Sequence, residues 1–295
     1  MRLRTKYEIG EIPHMEHPCP QSMRKNWLCL NGEWDFYKES QLGEKSFEGK
    51  IVVPFSPETL LSGIEDGFTL NAGEKIVYKR TVRVGKELLL GHTLLHFGAV
   101  DSECKVYCNG MQVDHHVGGF TAFSVNLSDA LNEGENELVV VCTDEGTRNG
   151  SARGKQSDTR GGIWYTPQSG IWQTVWLESM PEKNIGNFRI TPDAKRKTVA
   201  ITLDNGSGAE ITVFDGEKEI LHEKFKGVVT LAYDFELWSP ENPKLYDFVL
   251  TNEAGDEVRS YFGVRSFGRM KDEKGISRLT LNGKPYFFNG VLDQG

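Results

Sequence analysis

The chain carries too few cysteines, and too irregularly spaced, to suggest a disulfide framework. Cys19, Cys29, Cys104, Cys108 and Cys142 make an odd, unpatterned set, which fits a reducing compartment better than an oxidising one. No basic run stands out against a formal net charge of −8, so a nucleic-acid surface, which needs a basic footprint, is not expected. No stretch approaches the 18 or so apolar residues of a membrane span. The N-terminal Met1-Arg2-Leu3-Arg4-Thr5-Lys6-Tyr7 has no apolar segment behind its charges, so no signal peptide is visible. These points lead to an expectation of a cytoplasmic protein, periplasmic or secreted if a leader has been removed. Gly-x-Ser-x-Gly, a phosphate loop and a dinucleotide fingerprint are all missing. Helical periodicity is scarce too, with one short candidate near Pro57-Glu58-Thr59-Leu60-Leu61.

What is present is β-sheet patterning. The 32 glycines among 295 residues suit many short strands joined by turns, and the length allows about two domains. Alternation of period two runs through Ile76–Val84, and Glu137–Cys142 has the character of a central strand. Lys105–Cys108 and Met111–Asp114 flank Asn109-Gly110, whose residues tolerate the positive φ of a tight hairpin. After the polar linker Pro181-Glu182-Lys183, short strands at 188–190, 199–203, 210–214, 228–231, 246–250 and 258–262 are separated by Asn-Gly, Asp-Gly or Ala-Gly turns. That density suggests an immunoglobulin-like sandwich, without the Cys-Trp-Cys framework of antibody domains. The last residues read as a hairpin turn at Asn282-Gly283 and a buried strand over Tyr286–Val291. That strand is followed at once by the end of the chain at Gly295, as expected for a fragment of a larger fold.

The most promising segment for function runs from Asp144 to Gly162. It is almost free of apolar residues and longer than the 12–15 or so residues usual for a structureless loop. Ile163-Trp164-Tyr165 and the Ser169-Gly170-Ile171-Trp172…Trp176 stretch follow, holding three of the six tryptophans. Aromatic faces for sugar C–H groups and polar donors for hydroxyls are what a carbohydrate site requires. Trp164, Tyr165, Arg153, Lys155 and Gln156 are therefore candidate binding residues, whereas Trp172 and Trp176, four apart, are expected in the core. Cys104 and Cys108 would lie about 13 Å apart on a strand, too far to share a metal. No metal or cofactor is expected.

Several motifs occur in a recognisable order: Leu30-Asn31-Gly32-Glu33-Trp34, Val53-Pro54-Phe55, His96-Phe97-Gly98-Ala99-Val100-Asp101, Gly118-Gly119-Phe120 and Ser169-Gly170-Ile171-Trp172. Trp238-Ser239-Pro240-Glu241-Asn242-Pro243, Phe262-Gly263-Val264-Arg265 and Leu281-Asn282-Gly283-Lys284-Pro285 follow. The chain resembles the N-terminal part of glycoside hydrolase family 2, which includes β-galactosidases, β-glucuronidases and β-mannosidases. The resemblance implies an all-β chain: a jelly-roll (galactose-binding-like) sandwich over 1–181, an immunoglobulin-like sandwich over 182–267, and at 268–295 the start of a truncated (β/α)8 barrel.

The family's reaction is retaining hydrolysis by two glutamates about 5–5.5 Å apart, both at barrel strand ends. The pairs Asn132-Glu133, Asn136-Glu137 and Asn252-Glu253 are expected in sandwich turns, so no catalytic residue is carried over and the chain by itself is expected to be inactive. Galactosidase- and glucuronidase-like members place an Asp six residues before the motif glycine, where this chain has Trp164. Asp293 and Gln294, just beyond the first barrel strand, are further candidate sugar contacts. The implied partner is a carbohydrate substrate, with no nucleic acid and no membrane, and a homo-oligomer through the β domains is compatible with the family. The alternatives are a stand-alone carbohydrate-binding module and an adhesion protein of sandwich repeats.

Overall fold

A computed structural model describes residues 6–64, 67–146, 152–157, 159 and 161–292. Among them helix is limited to two single 3-10 turns, Leu60–Ser62 and Lys86–Leu88, and the rest is strand and loop. The chain separates into two compact units. The first holds 6–18 and Asn26–Glu182, the second Cys19–Lys25 and 183–292.

The first unit is a sandwich. Its six-stranded sheet runs, in spatial order, Lys45–Val53, Gly32–Glu39, Lys75–Val84, Gly134–Thr143, Glu103–Cys108 and Met111–Val117. Its four-stranded sheet runs Trp27–Cys29, Val175–Pro181, Gly91–Phe97 and Phe123–Asn126. All these neighbours are antiparallel. Side chains alternate across each strand, so one set of residues from each sheet points inward. Trp34, Phe36, Tyr78, Leu138 and Val140 meet Leu95, Phe97, Val125, Val175 and Leu177 in one core. Full burial of each such apolar side chain contributes about 1.5–3 kcal/mol. The hairpin at Asn109-Gly110 forms as the sequence suggests, with φ of 51° and 81° at the two turn residues.

The second unit packs a three-stranded sheet (Phe188–Asp193, Thr198–Leu203, Val228–Ala232) with a four-stranded one (Lys218–Lys226, Gly208–Asp215, Tyr246–Thr251, Glu257–Phe262). Ile201, Val213, Phe235, Tyr246, Phe248 and Phe262 fill the space between them. Every strand read from the sequence in this region is present. Lys218–Lys226 is an additional one, missed because Lys-Glu-Ile-Leu-His-Glu-Lys-Phe-Lys lacks apolar alternation. It lies at a sheet edge, where charged residues are normal because they discourage edge-to-edge pairing.

The short segment Cys19–Lys25 is fastened into this unit. Met23 and Arg259 exchange backbone hydrogen bonds of 2.9 Å each way, and Ser260 Oγ donates to the Gln21 carbonyl at 2.8 Å. Arg24 meets Asp256 in a two-pronged ion pair, Nε to Oδ1 at 2.9 Å and Nη2 to Oδ2 at 3.1 Å. Both side chains are almost fully buried. Asp256 Oδ2 also accepts the Ile185 amide at 2.9 Å.

Two expectations are corrected. Tyr286–Val291 is not a buried strand: Lys284–Pro285 is the final strand, and Phe287, Val291 and Leu292 are 82%, 95% and 84% exposed. The cause is local. Among the described residues Lys284–Pro285 pairs only with Ser277–Leu281, and past it the Tyr286 amide, bonded to the Leu279 carbonyl at 3.0 Å, makes the last such link. Asn136-Glu137 lies inside the strand Gly134–Thr143 instead of in a turn. Asn136 there accepts the Asn132 amide at 2.8 Å and so closes the preceding turn from within the strand.

Removing one partner of a buried ion pair leaves the other charge uncompensated. Asp256→Ala is therefore expected to lower the unfolding free energy by about 3–5 kcal/mol in a denaturant titration. A loss below about 1 kcal/mol would show that the pair is not what fastens the segment.

Candidate functional site

The polar segment after Asp144 folds back on itself through its own backbone. The Tyr165 amide donates to the Lys155 carbonyl at 2.8 Å and the Ser157 amide to the Tyr165 carbonyl at 3.2 Å. Gly161 and Trp164 exchange amide–carbonyl bonds of 3.1 Å. The outcome is a small hairpin that presents Trp164 (40% exposed) and Tyr165 (68% exposed) to solvent. The Arg153 guanidinium lies 5.9 Å from the Trp164 ring centroid, within the range of a cation–π contact. Arg153, itself half-buried, thus lies against the ring of the exposed Trp164.

Two other candidates serve the loop itself. Lys155 contributes its carbonyl to a parallel bridge between Gln156 and Tyr165. Gln156 turns inward, its Oε1 accepting the Gln168 amide at 2.6 Å while its side chain also bonds Asp101. Asp293 and Gln294 lie outside the described residues. Trp172 and Trp176 are half-buried and stand outside the core. Trp172 donates its indole N–H to the Gly119 carbonyl at 2.8 Å, and Trp176 stacks on the His96 ring with centroids 4.7 Å apart.

Beneath the loop lies a group of carboxyls that the sequence reading did not single out. The far end of the loop, Gly170–Ile171, pairs with Val100–Asp101 in a two-stranded sheet. Ser169, just before it, donates its hydroxyl to Glu58 Oε1 at 2.5 Å and its amide to Glu58 Oε2 at 3.2 Å. Asp101 is 5% exposed. Asp144 Oδ1, at the near end of the loop, accepts the Ser102 hydroxyl at 3.2 Å and the Gly146 amide at 2.8 Å.

Burial pushes the Glu58 carboxyl up to about 7 against the pull of its bonds to Ser169. Burial also raises Asp101 to about 7, helped by the neighbouring charges of Asp144 and Glu58. Strongly shifted carboxyls often mark catalytic centres. Here, however, Glu58 is occupied with Ser169 and Asp101 with Gln156, so the group works as a brace that closes the loop.

Two glycines are required by this packing. Gly170 has φ of 73°, and a Cβ there would come within 2.1 Å of the Tyr78 hydroxyl, which accepts the Ile171 amide at 3.3 Å. A Cβ on Gly119 would fall 2.2 Å from Asp101 Oδ1.

Fold and site define an all-β, multi-sheet sandwich protein with a ring-bearing loop braced on buried carboxyls. Residues 58–181 match the profile of "Glycosyl hydrolases family 2, sugar binding domain", and residues 184–265 that of "Glycosyl hydrolases family 2". The chain belongs to glycoside hydrolase family 2. It is similar to a β-glucuronidase of Streptococcus agalactiae, with 23% identity across 90% of this chain and 47% of that protein. A β-galactosidase of Clostridium acetobutylicum is 29% identical over 72% of this chain and 24% of that protein. Among solved structures, a β-glucuronidase of Faecalibacterium prausnitzii superposes with a TM-score of 0.67 and 24% identity, covering 90% of this chain and 49% of that one. The chain therefore spans about half, or less, of the length of these relatives.

The signals for Asp101 and Ser169 were in the motifs ending Ala99-Val100-Asp101 and starting Ser169-Gly170. Glu58 gave no such signal, since only the fold brings it to Ser169, more than a hundred positions away.

The pH dependence follows from the shifted carboxyls. In the unfolded chain Glu58 and Asp101 ionise near their ordinary values of 4.5 and 3.8, and in the folded chain near 7. Below those ordinary values the shifts have no effect on stability. As pH rises toward 7 the unfolded state gains by ionising first, so the first unit loses stability, by at most about 3–4 kcal/mol for each carboxyl. Its melting temperature should fall between pH 5 and pH 8, and Glu58→Gln should flatten that slope; an unchanged slope in the variant would exclude Glu58 as the source. Gly170→Ala should destabilise the first unit by more than about 1 kcal/mol from the positive φ alone, with loss of the Tyr78 contact in addition. Thermal unfolding of that variant at its wild-type midpoint would contradict the packing argument.

Proposed function

We propose that this chain is the non-catalytic N-terminal portion of a glycosidase that hydrolyses β-linked, non-reducing-end sugars by retaining double displacement. In this reading the reacting glutamates belong to a barrel that the chain does not supply. Its own part is to present Trp164, Tyr165 and Arg153 to the sugar, with Asp293 and Gln294 as further contacts. The observation that carries the reading is the exposed Trp164 ring, with Arg153 against it, on a loop closed from beneath by Gln156, Asp101 and Glu58.

An indole at position 164 offers a stacking face where galactosidase- and glucuronidase-like members offer a carboxylate, which favours contact with a sugar ring face over a bond to one particular hydroxyl. The relatives named above are β-glucuronidases and β-galactosidases. Their names support the reaction class, while Trp164 argues for a sugar preference different from theirs.

The test is direct. The 295-residue chain, incubated with 4-nitrophenyl β-glycosides of galactose, glucuronic acid, glucose and mannose, should release no nitrophenol above the buffer rate. Turnover that co-purifies with the chain and disappears in Glu58→Gln would overturn the proposal and make the buried carboxyls catalytic.

A further inference from the structure

The outer face of the six-stranded sheet carries a recess of about 270 Å³ that starts at Glu103 and Thr143, next in sequence to the braced group, and runs along the strands away from it, lined by Tyr37, Val77, Lys75, Lys105, Tyr107 and Val141 among others. Strand register gives its layout. Tyr37 lies opposite Val77, Val77 opposite Val141, and Val141 opposite Lys105. These four residues form one row across four strands. Tyr107 stands two residues along the last of those strands and on the same face. Three inter-strand steps, about 14 Å across the sheet, and an offset of two residues along the strand separate the two tyrosines. The recess is therefore a trough with an aliphatic floor of Val77 and Val141 and an aromatic ring toward each end.

The polar groups of the trough are balanced and largely uncommitted. Glu39, Lys75 and Glu103 belong to the next row of the same face. Glu103 meets His115 at 2.8 Å. Among the described residues Lys75, Lys105 and Glu39 make no ion pair and no side-chain hydrogen bond. Lys45 lies 4.2 Å from the centroid of the Tyr37 ring, so one face of that ring is already capped.

We propose that this trough is a second carbohydrate-binding site, distinct from the Trp164 ring, for a neutral oligosaccharide of two or three residues lying across the strands. Each feature matches one property of such a ligand. Tyrosine faces take up sugar C–H surfaces, and ammonium and carboxylate groups donate to and accept from ring hydroxyls. A span of about 14 Å suits a short oligosaccharide better than a single ring. Two lysines opposed by two glutamates give no net field, which favours an uncharged sugar over a uronate. Sheet strands hold these side chains at fixed spacing, so little ordering is needed on binding.

The site stands apart from the proposed reaction and can fail or succeed without it. Cellotriose, cellobiose, glucose and glucuronic acid would each be titrated into the isotopically labelled 295-residue chain while backbone amide signals are followed. Cellotriose is expected to shift the signals of Lys105, Tyr107 and Val141 saturably and to bind at least tenfold more tightly than glucose. Read at those three signals, Tyr107→Ala and Lys105→Ala should each weaken it about tenfold, while Tyr107→Phe, which keeps the ring, should leave it within twofold. The proposal is overturned by an absence of saturable shifts up to about 50 mM cellotriose, by tighter binding of glucuronic acid, or by binding that is lost in Trp164→Ala and kept in both trough variants. Lys105→Ala changes only a surface side chain, so a folding defect in Tyr107→Ala would still leave a decisive variant.

Discussion

The first unit depends on how it closes a long polar loop onto an apolar sandwich. A loop of that composition has no hydrophobic face of its own, so its ends must be held by hydrogen bonds. Glu58 takes both donors of Ser169, and Gln156 bridges Asp101 to the Gln168 amide. Once these ends are fixed, Gly170–Ile171 can pair with Val100–Asp101, and the hairpin holding Trp164 projects outward. The cost is two carboxyls in a poorly hydrated place, which is why both resist ionisation. Stability and the display of the aromatic ring are thus set by the same few residues.

The second unit solves a comparable problem with full charges. Cys19–Lys25 is too short and too polar to hold by burial alone. The fork of Arg24 on Asp256 fixes its position instead, with Asp256 shared by the Ile185 amide. In both units a buried carboxyl joins pieces of chain far apart in sequence, while the strands supply a rigid frame that needs little besides alternation and turns.

This division explains what could be read from the sequence. The strands were legible because alternation and Asn-Gly turns act locally, as at Asn109-Gly110. Lys218–Lys226 escaped because an edge strand can be polar on both faces. The exposure of Trp164 and Tyr165 was legible as well, since they stood in a loop that had no structural reason for aromatic residues. The loop's support was not. Gln156 reads like any polar loop residue, and Glu58 meets Ser169 only after the sandwich has assembled. The failed strand at Tyr286–Val291 marks a further limit, because an apolar run specifies a strand only where a neighbouring strand can take its hydrogen bonds.

The central physical claim is that buried, proton-holding carboxyls keep the loop closed. Amide hydrogen exchange, corrected for intrinsic rates, tests it residue by residue. Protection at Gln168, Ser169 and Ile171 should drop at least tenfold between pH 5.5 and pH 8.5, while Leu250, in a central strand of the second unit, keeps its protection. Equal behaviour of the loop end and the core strand across that range would contradict the account.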